Sequence, residues 1–386
     1  MEAVLRESYA DKTFKNPRWW LGMKSKTVKA EPPPLSVTVI IPAFNEEDSI
    51  ERTIRSAQAQ TYPIHEIIVV DDCSTDRTNE IARSMGVTVI RPDTNQGTKA
   101  QAQNLALDQV TTDVIATIDA DTVLWPDAIW EALRYFNDPD TGAVCGSVIP
   151  QKARTLWELG RYLEYLFAFT VIKGTQEHYN SILVASGCFT IFNTNLVRKY
   201  GGFDRRTMAE DMDMTWRMYE DGIYVRFAPT ALCEVVDPPT YKIFKAQLAR
   251  WSHGFLQNIK IRTYDPNRPW WKRWRPLDLF RSSFRLGLTA YGVLLWQFVG
   301  PFWFPLVAFY FINDTSSALA GMLMLYICLV WGPAVYKCIR YGKSPLIVAK
   351  AIVPFFLIQF VNIAIFTKAV FQELRGQTVH TWVKGH

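Results

Sequence analysis

VIATIDADT, residues 114–122, sets an uncharged run of β-branched and small residues directly against two aspartates, Asp119 and Asp121. Such a run fits a strand buried on both faces, as in a parallel sheet. Carboxylates do not follow it into an apolar core, so they mark the end of the strand. Upstream, Val37 to Ile41, Ile67 to Val70 and Val87 to Ile90 read the same way. Helical spacing separates these runs. Asp48 to Gln60 puts Ile50, Ile54 and Ala57 on one face; Asp76 to Met85 follows, then Ala100 to Val110 after a loop containing Gly97. Strand and helix alternating at this interval predict an α/β fold with a parallel sheet and right-handed crossovers. Ligands of such sheets sit at the carboxyl ends of the strands. Asn45-Glu46, Asp72 and Asp119/Asp121 all fall there. No GxGxxG follows the first strand, which weighs against a dinucleotide dehydrogenase.

The 386 residues suffice for one large domain plus an appendage, or for two domains. Hydrophobic residues make up 49% and charged residues 20%, and the apolar surplus is concentrated late. Leu286 to Ile312 and Thr315 to Tyr336 carry no charge, and Pro345 to Thr367 carries only Lys350. An apolar helix of about twenty residues spans a bilayer core, so these runs predict transmembrane helices. The net charge of +5 matters less than its placement. Arg268, Lys272, Arg273, Arg275, Arg281 and Arg285, interleaved with Trp270, Trp271 and Trp274, crowd just before the first run. Cations favour the cytoplasmic side and tryptophan the headgroup layer, so the patch reads as a contact for membrane lipids rather than nucleic acid. Asn313-Asp314 then suits the outside, and Lys337, Arg340 and Lys343 the inside. Three full spans would leave the tail outside, against the charges of Lys368, Arg375 and Lys384; a re-entrant segment or a crossing near Gly300-Pro301 resolves this. No signal peptide is read at the start. Lys15 to Lys26, with Trp19 and Trp20, reads either as an interfacial piece or as a polar leader ending at Glu31-Pro-Pro-Pro34. Six scattered cysteines fit a reduced cytosolic part, and the five isolated histidines form no zinc pattern.

Seven blocks carry a resemblance: VIIPAFNE (39–46), VVDDCSTD (69–76), GTKAQAQN (97–104), TIDADT (117–122), GGFD (201–204), AEDMDMTWRM (209–218) and QLARW (247–251). In this order they resemble the inverting family 2 glycosyltransferases of the GT-A fold. More narrowly, they resemble the membrane-embedded processive branch that includes cellulose, hyaluronan, chitin and poly-N-acetylglucosamine synthases. The wording around Glu210 lies nearest the poly-N-acetylglucosamine synthases, with Ala209 where threonine is usual and Leu248 where arginine or glutamine is common. The resemblance implies a Rossmann-like, mostly parallel GT-A domain over 37–240, behind a leader at 1–36. QxxRW would lie on interfacial helices at 241–285, followed by transmembrane helices over 286–367 and a tail at 368–386. It implies an integral membrane protein with several crossings and a cytoplasmic catalytic domain.

The implied chemistry can be followed residue by residue. A departing nucleoside diphosphate carries charge that a divalent metal offsets, and hard oxygen ligands suit Mg2+ or Mn2+. The resemblance makes Asp121 the metal ligand, with Asp119 and Ala120 beside the nucleotide. It makes Asp72 the uracil contact of a UDP-sugar, in a pocket shared with Pro42, Ala43 and Glu46. Lys99 would offset diphosphate charge. Inversion needs a base that deprotonates the attacking hydroxyl. Asp211, opening a helix-like run, is the candidate, with Glu210 beside it as a rival catalytic carboxylate. Asp213 reads either as a rival or as an exposed first-turn acid favoured by the helix dipole. Gln247, Arg250 and Trp251 would serve the diphosphate, and Trp251 would also offer a face to the acceptor sugar. Ser186, Gly187 and Cys188 resemble the small-residue segment at the acceptor end. The expected product is a β-linked polymer built from UDP-N-acetylglucosamine or UDP-glucose; the other reading is one transfer to a lipid or protein acceptor. Polysaccharide and glycolipid acceptors, an oligomer and accessory subunits all stay open. An inactive scaffold would lack an essential acid, and none is lost.

Overall fold

The computed structural model describes residues 30–313 and 331–377, with 270 and 299–313 described by their backbone. The Lys15–Lys26 segment, most of the Thr315–Tyr336 run and the end of the tail lie outside these residues. Eight strands form one sheet: β1 (Val37–Ala43), β2 (Glu66–Asp71), β3 (Thr88–Ile90), β4 (Val114–Ile118), β5 (Val123–Leu124), β6 (Thr141–Pro150), β7 (Phe189–Asn193) and β8 (Tyr224–Val235). Their order across the sheet is β3-β2-β1-β4-β7-β6-β8-β5. The first four are parallel, with Val39 opposite Ile67 and Ala116. Every residue of β4 is buried, and β1 is buried except at Pro42, as continuous apolar runs require.

Helices α1 (Ile50–Gln58), α2 (Thr78–Ser84) and α3 (Lys99–Leu107) make the crossovers. They lie within the stretches expected from periodicity, except that α3 begins one residue early, at Lys99, where the Thr98 hydroxyl caps it by accepting from Gln101 N–H.

The second half of the sheet departs from a mostly parallel arrangement. β6 and β8 pair in parallel, but β7 runs antiparallel to both β4 and β6, and β5 is antiparallel to β8. The chain enters β7 from the β4 carboxyl end because α5 (Leu156–Phe167), a π-helical turn (Ala168–Ile172) and α6 (Lys173–His178) carry it there from β6, after the shorter α4 (Ala128–Leu133). A capping box starts α5, with Thr155 Oγ accepting from Glu158 N–H and Glu158 Oε2 accepting from Thr155 N–H. Beyond β7 come α7 (Thr194–Lys199), α8 (Glu210–Glu220) and, after β8, the long α9 (Tyr241–Thr263) that carries QxxRW.

The C-terminal part is helical: α10 (Leu277–Ser282), α11 (Phe284–Asn313), α12 (Gly332–Arg340) and α13 (Leu346–Leu374). Among the described residues one helix, α13, is long and apolar enough to cross a membrane by length and composition. One side of it packs on α5 and α9, where Phe355 and Ile358 are buried, while Val353, Leu357, Phe360 and Phe371 stay exposed. Its end is tied to α9 by Glu373 Oε1, which lies 2.8 Å from His253 Nδ1 and accepts from Gln257 Nε2 at 3.1 Å.

Candidate active site

Asp119 leaves β4 directly, and Ser186-Gly187-Cys188 leads into β7. Antiparallel pairing sets Ile118 opposite Phe189, so the two segments emerge side by side. Asp119 N–H donates to the Cys188 carbonyl at 3.4 Å. Helix α8 then fastens the segment. Trp216 Nε1 donates to the Leu183 carbonyl (2.8 Å), Ala185 N–H to Thr215 Oγ1 (2.9 Å) and Gly187 N–H to Asp211 Oδ2 (2.9 Å). Asp211 and Thr215 lie one turn apart, so one helix face fixes alternate residues of the irregular segment that leads into β7.

Lys99 reaches in from α3. Its Nζ donates to Asp119 Oδ1 and to the Gly187 carbonyl, the latter at 2.9 Å, and lies 3.9 Å from Glu210 Oε1. Burial opposes its charge, but Asp119, Glu210 and Asp211 together overcome that and raise its pKa, so the lysine stays an ammonium. Burial pushes the Glu210 carboxyl up, with Lys99 and Arg250 acting against the shift and Asp211 adding to it. Asp119 keeps 38% of its side chain exposed against 13% for Glu210, so the network opens to solvent on the Asp119 side. The structure therefore brings Lys99, Asp119, Gly187, Glu210 and Asp211 into one connected network.

Asp72, Pro42, Ala43 and Glu46 lie at or just beyond the ends of β1 and β2. Asp72 N–H donates to the Ala43 carbonyl at 2.9 Å, and Asp72 Oδ1 accepts from Gln96 N–H at 2.6 Å. Burial raises the Asp72 carboxyl, and the Gln96 bond works against that. Pro42 is half-buried opposite Val70. Glu46 donates its N–H to Thr78 Oγ1 (2.7 Å), and its carboxylate accepts from the Ser49 hydroxyl (2.6 Å). The Ala120 carbonyl accepts from Thr53 Oγ1 at 2.8 Å, and Asp121 beside it is half-exposed.

On α9, Arg250 lies close enough to act on Glu210, while Trp251 turns to α5, its ring centre 4.8 Å from the Arg161 guanidinium carbon. Gln247 Oε1 is buried without a hydrogen-bond partner. The departure at Ala209 has a packing counterpart, since a Cβ on Gly254 would come within 2.6 Å of Ala209 Cβ. Paired small residues let α9 close on the start of α8.

Among the described residues no three His, Cys, Asp or Glu side chains cluster as a ready-made metal site. The donors present still fit a hard divalent ion held by one or two carboxylates and the substrate's own phosphates. Asp121 is a half-exposed carboxylate residue, and Asp119 is shared with Lys99.

Several residues escaped the sequence. Asp213 is no exposed first-turn acid: it is fully buried among Arg206 (2.8 Å), Arg217 (3.0 Å) and Arg262 (3.2 Å). Arg217 sits one turn along the same helix, but Arg206 and Arg262 come from other segments, so helix spacing gives no sign of the burial. Asp71 is buried and binds Arg91, Asn79 Nδ2 (2.8 Å) and Ser74 N–H (3.0 Å), which shapes the loop after β2. Lys173 is buried and donates to the Val184 carbonyl (2.6 Å) and Ser186 Oγ (2.9 Å), bracing the segment before Gly187.

The chain matches the family model described as glycosyl transferase family 2 over residues 38–201. It is 30% identical over 224 residues to the poly-beta-1,6-N-acetyl-D-glucosamine synthase of Staphylococcus aureus, an alignment covering 56% of this chain and 54% of that one. The chain thus spans about half the length of that relative. It is also 30% identical over 299 residues to the probable glycosyltransferase YdaM of Bacillus subtilis, covering 72% of this chain and 67% of that one. The solved mannosyltransferase PcManGT of Pyrobaculum calidifontis, in complex with GDP-Man and Mn2+, shares the fold with a TM-score of 0.53 at 23% identity, over 84% of this chain and 89% of that one. With its parallel half-sheet, the acids at the β4 end and these relatives taken together, the chain belongs to glycosyl transferase family 2 and is a glycosyltransferase.

Proposed function

We propose that the protein is a membrane-bound, inverting transferase that moves N-acetylglucosamine from UDP-N-acetylglucosamine, with UDP-glucose the other candidate donor, onto a growing β-linked polysaccharide. The observation that carries this reading is the network joining Lys99, Asp119, Gly187, Glu210 and Asp211 at the carboxyl end of β4. Asp211 takes the proton of the acceptor hydroxyl as that oxygen bonds the anomeric carbon and the diphosphate leaves from the opposite face. The Gly187 N–H bond orients its carboxylate, leaving Oδ1 to Met212 N–H at 2.8 Å. Lys99 and Arg250 supply positive charge where the diphosphate departs. A bound Mg2+ or Mn2+ would be held by Asp121 and the donor's phosphates, and would offset the charge of the leaving group. Asp72, Pro42, Ala43 and Glu46 receive the uridine, and Trp251 offers the acceptor an aromatic face.

The similarity to a poly-beta-1,6-N-acetyl-D-glucosamine synthase of S. aureus supports N-acetylglucosamine as the sugar and a polymer as the product. In this reading α11 and α13 cross the membrane, the catalytic domain lies on the cytoplasmic face, and exposed Trp271 and Trp274 contact lipid. The small set of apolar runs in the sequence favours a second reading, one transfer to a lipid or protein acceptor. Purified protein in nanodiscs, given single UDP-sugars with Mg2+ or Mn2+, separates the two. A size ladder supports the polymer, one addition supports the second reading, and no UDP release with any donor refutes both.

A further inference from the structure

Trp251 is held by groups that none of the chemistry above uses. Helix α5 runs beside α9, with Trp157 stacked on Phe244 at a centroid distance of 5.2 Å and 5.1 Å from Tyr241. One turn later the Arg161 guanidinium carbon lies 4.8 Å from the Trp251 ring centre and 4.5 Å from that of Tyr165. Arg161 is only 3% exposed, and a cation that deep needs compensating charge. Glu164 supplies part of it at 2.7 Å, and the Tyr165 hydroxyl accepts another N–H at 2.8 Å. The remainder comes from Asp237, just past β8 and before Pro238-Pro239, whose Oδ1 is 3.6 Å from Arg161 Nε. That spacing allows attraction but not a hydrogen bond. Arg161 Nε and both Asp237 oxygens are buried without hydrogen-bond partners. A bidentate clamp would lock the guanidinium to the carboxylate; this looser pair leaves it aligned against the indole.

We infer that Arg161 and Asp237 are positioning residues for Trp251: the guanidinium fixes the indole plane on which the acceptor sugar stacks, and the Asp237 carboxylate governs how firmly it does so. This deepens, and rests on, the reading of Trp251 as the acceptor platform. Burial pushes the Asp237 carboxyl up to about 7; Arg161 acts against the shift, and Glu164 and Glu158 add to it. Those three groups and Tyr165 face Asp237 from α5, while His253, two residues beyond Trp251 on α9, is engaged by Glu373. Below pH about 7 Asp237 is neutral and Arg161 keeps only Glu164 as counter-charge. Above it the second counter-charge appears and the platform tightens.

The test follows indole 251 as the emission difference between each protein and its Trp251→Phe counterpart, in nanodiscs. In the parent this difference titrates with a midpoint near pH 7; in Asp237→Asn and Arg161→Met it does not. A parent signal flat from pH about 5 to 9, or an unchanged titration in Asp237→Asn, overturns the inference. A transition owed to His253 would survive that variant. In the second arm, with UDP-N-acetylglucosamine and β-1,6-linked N-acetylglucosamine oligosaccharides, Arg161→Met raises the acceptor KM about tenfold, leaves the donor KM within about twofold, and adds little in a Trp251→Ala background. Arg161→Lys restores part of the loss and serves where the methionine variant does not fold. Equal changes in both KM values overturn the inference. If Trp251→Ala itself leaves the acceptor KM unmoved, the platform reading fails, while the emission titration still judges the positioning.

Discussion

Gly187 has no side chain, and two charged groups depend on that. An added Cβ would come within 2.9 Å of Lys99 Nζ and 3.1 Å of Asp211 Oδ2, so Gly187→Ala displaces the proposed base and its neighbouring cation together. Displacements of that size cost about a hundredfold in well-oriented reactions, so kcat should drop by about that factor with the thermal midpoint little changed. Steady-state kinetics beside a melting curve check it. Asp213→Ala should do the reverse of a purely catalytic lesion. Removing a fully buried carboxylate from among three arginines leaves uncompensated charge, worth about 3–5 kcal/mol of stability, read in denaturant unfolding. The contrast between these residues shows what a sequence can carry. Asp119 and Asp121 were legible because acids stand where an apolar run stops, whereas Glu210 and Asp211 came only through the resemblance of the AEDMDMTWRM block. Asp213 was not, because the arginines that bury it lie 4, 7 and 49 residues away, and no local pattern distinguishes a buried acid from a solvated one.

At the scale of elements, β7 and α9 assemble the site. Four strands and three helices of the parallel half were readable from period and composition, because continuous apolar runs and amphipathic spacing are local properties. The direction of β7 is not local. Its five residues, FTIFN, read the same whether parallel or antiparallel, yet the antiparallel pairing alone carries Ser186-Gly187-Cys188 to Asp119. The approach of α9 to α8 was hidden for a similar reason, since it depends on Gly254 meeting Ala209 across 45 residues of chain. Gly254→Val therefore pushes α9 away and draws Arg250 back from Glu210. Because Arg250 is assigned to the diphosphate, the donor KM should rise about tenfold or more, whereas an unchanged donor KM would detach α9 from donor binding.

For the whole molecule, the apolar C-terminal runs and the catalytic half were legible as separate regions, but not the way they join. Helix α13 packs one side on α5 and α9 and leaves the other apolar and exposed, and Glu373 ties its end to His253 and Gln257, whose Oε1 in turn accepts from Met208 N–H beside Ala209. The expressed chain should stay with membranes through alkaline carbonate washing; release into the supernatant would remove the membrane reading. The central claim, that an inverting transfer runs on the Asp211 carboxylate, is tested most directly by Asp211→Asn. Transfer from UDP-N-acetylglucosamine and equilibrium binding of UDP should be measured on the same nanodisc preparation. Loss of the base should lower turnover by about a hundredfold to ten-thousandfold while UDP binding stays near the parent value. Turnover within a few fold of the parent would contradict the account.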